Sequence, residues 1–248
     1  MAEDTPSLRF LLAVPLYEAG AAEAAERELR VVLERQPHAG AARVALAEAL
    51  LSQRRYGEAA EVAAAMDADA PSAAVAAHSE LFARMAAGQD AAALDEAFAR
   101  ARTAGTEPDA IALFGAWRAL AEGATPPAAL TPASGELLFA VLEALLRVQD
   151  VDPFVAVLPL VERIPLARRD RRERMAQLYY RRGFVDSAAD EWAAACEEQG
   201  PDANALAGLA AVAFMRGEEQ DAGLFAQTAR ELDPAHEGAR RVLERLGL

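Results

Sequence analysis

Apolar residues recur along this chain three and four positions apart, in short runs broken at regular intervals. In 42–51 the apolar positions Ala42, Ala45, Leu46, Ala49 and Leu50 share one side of a helix. The same rhythm over 109–122 predicts a helix opening at Pro108 or Asp109. Another lies near the end, where Ala239, Val242, Leu243 and Leu246 fall on one face. No apolar run approaches the length of a membrane span. The stretch Phe10–Leu16 resembles a signal-peptide core, but Glu3 and Asp4 stand where positive charge is expected, and the stretch also fits a helix of the repeat.

The interruptions repeat. Gly217 is followed by Ala222 and Pro234, and the same offsets return at Gly20, Ala25 and Pro37. Arg54, Ala59 and Pro71 keep the spacing with Arg in place of Gly. Gly88, Ala93, Gly105 and Gly183, Ala188, Gly200 keep it with Gly in place of Pro. Positions 20, 54 and 88 are 34 residues apart, as are 183 and 217. The Gly suits a reversal between two helices, since it reaches left-handed backbone cheaply. The Ala suits a close helix crossing, and the Pro ends the second helix.

A helix–turn–helix of 34 residues with small residues at its contacts resembles the tetratricopeptide repeat family. The clearest units are 40–73 and 203–236, the latter with Leu206, Leu209, Ala210, Ala213, Gly217, Ala222, Ala229 and Leu232-Asp-Pro234. The family's large aromatic near the start of the first helix is missing from most units. The resemblance implies an all-α chain of antiparallel helix pairs stacked into a right-handed superhelix, an α-solenoid. The expected organisation is three pairs over 1–107 (6–39, 40–73, 74–107) and an irregular half-repeat or linker over 108–133, broken at Pro126-Pro127. Three more pairs follow over 134–236 (134–167, 168–202, 203–236), with a capping helix over 237–248. Pro153 stands where the family has Ala, and Asp152-Pro153 reads as an N-cap followed by proline at the first helical position.

Composition supports this picture and narrows the chemistry. The chain of 248 residues is 53% hydrophobic but only 6% aromatic, with alanine, the best helix former, much of the difference. Every basic residue is Arg, as in high-GC bacterial sequences, which excludes Schiff-base chemistry and a phosphate-loop lysine. A net charge of −14 repels nucleic acid and anionic membranes. The single cysteine, Cys196, allows no intrachain disulfide, and the expected compartment is the cytoplasm. Cys196 follows Trp192 by one helical turn, and both are expected to pack inside.

No catalytic pattern emerges. His38 and His236 sit beside repeat-ending prolines and read as turn residues, and His78 has no acidic partner near it in sequence. There is no nucleophile elbow, phosphate loop, dinucleotide fingerprint or metal-ligand spacing, so neither cofactor nor metal is expected and the chain reads as a non-enzyme. The unusual charge feature is 163–182, where eight arginines face only Asp170 and Glu173. They either balance neighbouring acidic helices or form an anion site for an acidic peptide.

The resemblance further implies an inner groove lined by the first helix of each unit. In that register the first units present Phe10, Val14 and Tyr17, then Val44, Glu48 and Leu51, then His78, Phe82 and Met85. The later units present Leu138, Leu142 and Leu145, then Arg174, Gln177, Tyr180 and Arg181, then Asn204, Ala211 and Phe214. The leading expectation is a scaffold or adaptor that binds a protein or peptide, with an acidic segment as one candidate. Two alternatives stand beside it: self-association into a homo-oligomer, and a regulatory or enzymatic module with its site near the 108–133 break.

Overall fold

A computed structural model of the protein describes residues 5–126 and 130–248. Glu3 and Asp4 of the signal-like stretch and Pro127 of the middle break lie outside the described residues. The described residues form fourteen α-helices. In the first half these are α1 (Pro6–Glu18), α2 (Ala22–Arg35), α3 (Gly40–Ser52), α4 (Tyr56–Ala64), α5 (Ala73–Ala86), α6 (Ala91–Thr103) and α7 (Pro108–Ala121). They continue with α8 (Pro132–Arg147), α9 (Val151–Val157) and a 3-10 turn over Leu158–Arg163. Then come α10 (Arg168–Arg181), α11 (Val185–Gln199), α12 (Ala203–Arg216), α13 (Glu219–Leu232) and α14 (Glu237–Leu246). Consecutive helices pack as pairs, α1 with α2, α3 with α4, α10 with α11 and α12 with α13. The fold is an all-α stack of tetratricopeptide-type helix pairs. Among the described residues no helix is long and apolar enough to cross a membrane.

The repeated marks do what their chemistry suggests. Gly20, Gly88, Gly105, Gly183, Gly200 and Gly217 all have positive φ at helix ends. Arg54, at the position glycine holds in the other units, takes the same left-handed backbone with φ 59°. The alanines five residues on, Ala25, Ala59, Ala188 and Ala222, are fully buried, while Ala93 is half-buried. At the four buried positions a larger side chain would have to displace the neighbouring helix. Side-chain caps fix several helix starts: Thr5, Asp90, Thr131, Asp202 and His236 each accept a backbone N–H in the first turn of α1, α6, α8, α12 and α14.

The chain forms two compact units, Met1–Ile164 and Pro165–Leu248. The core of the first runs from Leu29, Leu46 and Leu50 to Leu113, Phe114 and Trp117, all essentially without solvent contact. Helices α8 and α9 belong to this unit and pack with α7. The second is built on Trp192, Leu206, Val212, Val242 and Leu243, with alanines at the crossings. Helix α9 starts at Val151, with Asp150 rather than Asp152 at its N-cap position. The Asp150 side chain makes no cap bond, because it is engaged elsewhere in the first unit.

Candidate functional sites

The first unit holds a cleft of about 220 Å³. One wall comes from α1, α3 and α5, the first helices of three successive pairs, through Tyr17, Glu48, Leu51, Ser52, His78 and Phe82. The other wall comes from α8, through Leu137, Val141, Ala144 and Arg147. Here the register expected for α8 is corrected. Leu138, Leu142 and Leu145 are fully buried in the helix core, and the positions one residue earlier, Leu137, Val141 and Ala144, meet the cleft. A helix that packs on α7 and α9 spends its most apolar stripe on them and leaves a thinner stripe, ending in Arg147, for the groove.

The α8–α9 corner is pinned to the α3–α4 turn. Arg54 Nη2 donates to Asp150 Oδ1 at 2.9 Å and the Tyr56 hydroxyl donates to Oδ2 at 2.6 Å. Asp150 is 6% exposed, so both bonds act largely out of water and gain strength accordingly. Burial and the adjacent carboxylate push the Tyr56 hydroxyl well above its usual range. Ring contacts continue inward from there: Tyr56 to Phe82 at 6.3 Å, Phe82 to Trp117 at 6.4 Å, Trp117 to Phe114 at 6.4 Å and Phe114 to His78 at 5.2 Å.

Two titratable groups in this cleft are shifted by burial. The Glu48 carboxyl is raised above its usual range, with the charge of Arg147 pulling the other way. His78 is lowered from its ordinary 6.5, which holds the imidazole neutral. Among the described residues Glu48 makes no hydrogen bond and no direct ion pair. Arg147 makes one long contact, 3.4 Å, with the Tyr17 hydroxyl.

The second unit has its own cleft of about 500 Å³ along α10, α12 and α14, lined by Glu173, Gln177, Tyr180, Asn204, His236, Arg241 and Arg245, with Trp192 reaching in from α11. Its polar groups are cross-braced. Glu173 accepts from Gln177 Nε2 at 2.7 Å and from the Trp192 indole N–H at 2.8 Å. Burial raises the Glu173 carboxyl, and those two donors oppose the shift. His236 caps α14 by accepting the Ala239 N–H on Nδ1 at 3.2 Å, so its proton sits on Nε2 and is donated to Asn204 Oδ1 at 3.0 Å. His236 is thus the turn residue its proline neighbour suggests and a member of the cleft as well. The Trp192 indole lies so close to Gly208 that a Cβ there would overlap it.

The residues singled out from sequence divide into three groups. Tyr17, Leu51 and Phe82 meet in the first cleft, and Gln177, Tyr180 and Asn204 in the second. Phe10, Met85 and Phe214 pack into helix interfaces, Met85 as a buried residue, and Arg245 lies over the Phe214 ring at 5.8 Å. Arg174 and Arg181 occupy the α10 positions next to Glu173 and Tyr180, outside the residues that line the cleft. Other arginines of the 163–182 segment brace α10 against α11 and the start of α12. Arg172 pairs with Glu191 at 2.8 Å and Glu198 at 2.7 Å, Arg168 with Glu198 at 2.9 Å, and Arg169 with Asp202 at 3.1 Å. Arg147, Arg241 and Arg245 were not visible as site residues in sequence, because their importance arises from helices meeting across a cleft. Cys196 is partly buried, and burial raises its thiol, so it is not poised as a nucleophile.

No family model matches the sequence, and no curated protein does either. Solved structures similar to it over nearly its full length include several tetratricopeptide-repeat proteins. One from Parabacteroides merdae aligns with 100% of this chain and 86% of its own at 13% identity and a TM-score of 0.45. One from Thermus thermophilus aligns with 98% and 100% at 16% identity and 0.33. YrrB, described as having an unusual peptide-binding site, aligns with 98% and 94% at 14% identity and 0.31. The assignment of the fold rests on this chain's own helix pairs and their 34-residue spacing.

Proposed function

We propose that the protein is a non-catalytic, cytoplasmic interaction scaffold whose second unit holds an acidic segment of a partner protein along α10, α12 and α14. The observation that carries this reading is the cleft of about 500 Å³, which lies within the size range of specific binding pockets and displays an aromatic ring, amides and two guanidinium groups on rigid helices. Glu173 is already satisfied by Gln177 and Trp192, which leaves Arg241 and Arg245 to pair with partner carboxylates. Gln177, Tyr180 and Asn204 contact the segment directly, Arg174 and Arg181 draw its acidic groups from the adjoining positions of α10, and Phe214 supports Arg245.

Affinity capture from the native host tests this. Tyr180→Ala combined with Arg241→Glu and Arg245→Glu should abolish capture of the proteins retained by the wild type, and Arg174→Glu with Arg181→Glu should reduce it. Recovery of the same partners at the same yield from the triple variant rejects the reading. Self-association is favoured as a second reading by α1, where Leu8, Leu11 and Leu12 share a stripe and are 38%, 67% and 52% exposed. Sedimentation velocity over a concentration series should then show a dimer that Leu11→Glu with Leu12→Glu removes; a strictly monomeric wild type eliminates it.

A further inference from the structure

The first cleft is too small for a chain segment and is closed on its second side by the protein's own α8. At about 220 Å³ it holds what about seven waters fill in the liquid, below the roughly 300–1,000 Å³ of drug-sized pockets. Tyr56, one of the lining residues, is held by Asp150 at the α8–α9 corner, which ties the α4 edge of the cleft to the end of its α8 wall. Its walls are mainly apolar, with Leu51, Phe82 and Val141 among them, and two opposite charges converge on it. Glu48, half-buried, has no hydrogen bond or direct ion pair among the described residues, and Arg147 has only its long contact with Tyr17. They feel one another's charge without bonding, which leaves an acceptor and a two-pronged donor facing the same small space.

That arrangement selects its ligand by elimination. A simple anion would be drawn to Arg147 but repelled by Glu48, and a simple amine would meet the reverse. An uncharged apolar molecule would cover the half-buried Glu48 further without giving it a partner and would offer nothing to the exposed Arg147, so it gains from neither charged group. A molecule carrying both an ammonium and a carboxylate satisfies both ends at once. We propose that the first unit binds a free α-amino acid with an apolar or aromatic side chain, its ammonium on Glu48, its carboxylate on Arg147 and its side chain against Leu51, Phe82 and Val141. This site is separate in residues and in ligand class from the cleft proposed for a protein partner.

The test is calorimetric titration of the full-length protein with L-leucine, L-phenylalanine, N-acetyl-L-phenylalanine and L-phenylalanine amide, alongside thermal melts. At least one free amino acid should bind at millimolar concentration or below and raise the melting temperature. Blocking the amine or the carboxyl should each weaken binding about 10- to 100-fold, the loss of one charge-assisted hydrogen-bonded contact. Glu48→Gln should weaken the free amino acid and erase its advantage over the N-acetyl derivative; Arg147→Met should do the same for the amide. The comparison among ligands is made on the wild type, so it stands even where a variant fails to fold. Absence of binding by both free amino acids, or equal binding of free and blocked forms, overturns the proposal.

Discussion

Arg54 combines two effects that usually fall on different residues. It holds a left-handed turn where glycine serves in sister units, at a backbone cost of about 1–2 kcal/mol for a residue with a Cβ. Its guanidinium also holds Asp150 across 96 positions of chain. Arg54→Gly therefore removes the strain and the ion pair together, and chemical denaturation should show little net change. Tyr56→Phe has no such compensation. It leaves one oxygen of a buried carboxylate without its donor and should lower stability by about 1–3 kcal/mol. Glu80 is a harsher case. It is 1% exposed and accepts from Arg84 Nε at 2.6 Å and from Arg100 at 2.6 and 3.0 Å. Glu80→Ala takes the buried carboxylate from Arg84 and Arg100, leaves the buried Arg84 with only Gln89 and a longer 3.6 Å pair with Glu61, and should cost about 3–5 kcal/mol in urea melts.

At the scale of the helices, two glycines in similar local settings carry opposite expectations. Gly57, in α4, has nothing near the place a Cβ would occupy, so Gly57→Ala should raise stability by about 0.4–1 kcal/mol by restricting the unfolded chain. Gly208, in α12, lies against the Trp192 indole, so Gly208→Ala must push α11 and α12 apart and should cost about 1–3 kcal/mol, with a change in tryptophan fluorescence. Paired melts of the two variants check both. The regular pairs were legible in sequence because one glycine and one alanine per unit carry out one mechanical task each, and tasks repeated every 34 residues leave a period. The roles of α8 and α9 were not legible. Their placement depends on Asp150 meeting Arg54 and Tyr56, single contacts between distant positions that leave no period behind. The face of α8 follows the same logic: Leu138, Leu142 and Leu145 make its strongest apolar stripe, which the repeat register points to the groove, but the strongest stripe goes to the core.

Over the whole molecule, titration sets how stability varies with pH. His78 is held neutral by burial in the folded chain but takes up a proton near 6.5 when unfolded. Its contribution is therefore present above pH 6.5 and is lost as the pH falls towards its depressed folded value. Glu26 behaves similarly at lower pH. Burial opposes its ionisation, but hydrogen bonds from Gln53, Arg30 and Arg55 outweigh that and lower its carboxyl, so its contribution is lost as the pH falls below 4.5. Glu48 and Glu173 act in the other sense. Their carboxyls are raised by burial, so stability falls as the pH rises from 4.5 through their folded values. On acidification from pH 6.5 towards 4.5 the loss from His78 is opposed, once the pH drops below the raised folded value of Glu48, by the gain from protonating Glu48 in the same unit. Glu48→Gln should therefore steepen the decline in stability on acidification through this interval, and His78→Leu should flatten or reverse it. Urea melts at a series of pH values separate the two. If neither substitution alters the pH dependence, burial in the first cleft does not govern the ionisation of these two groups.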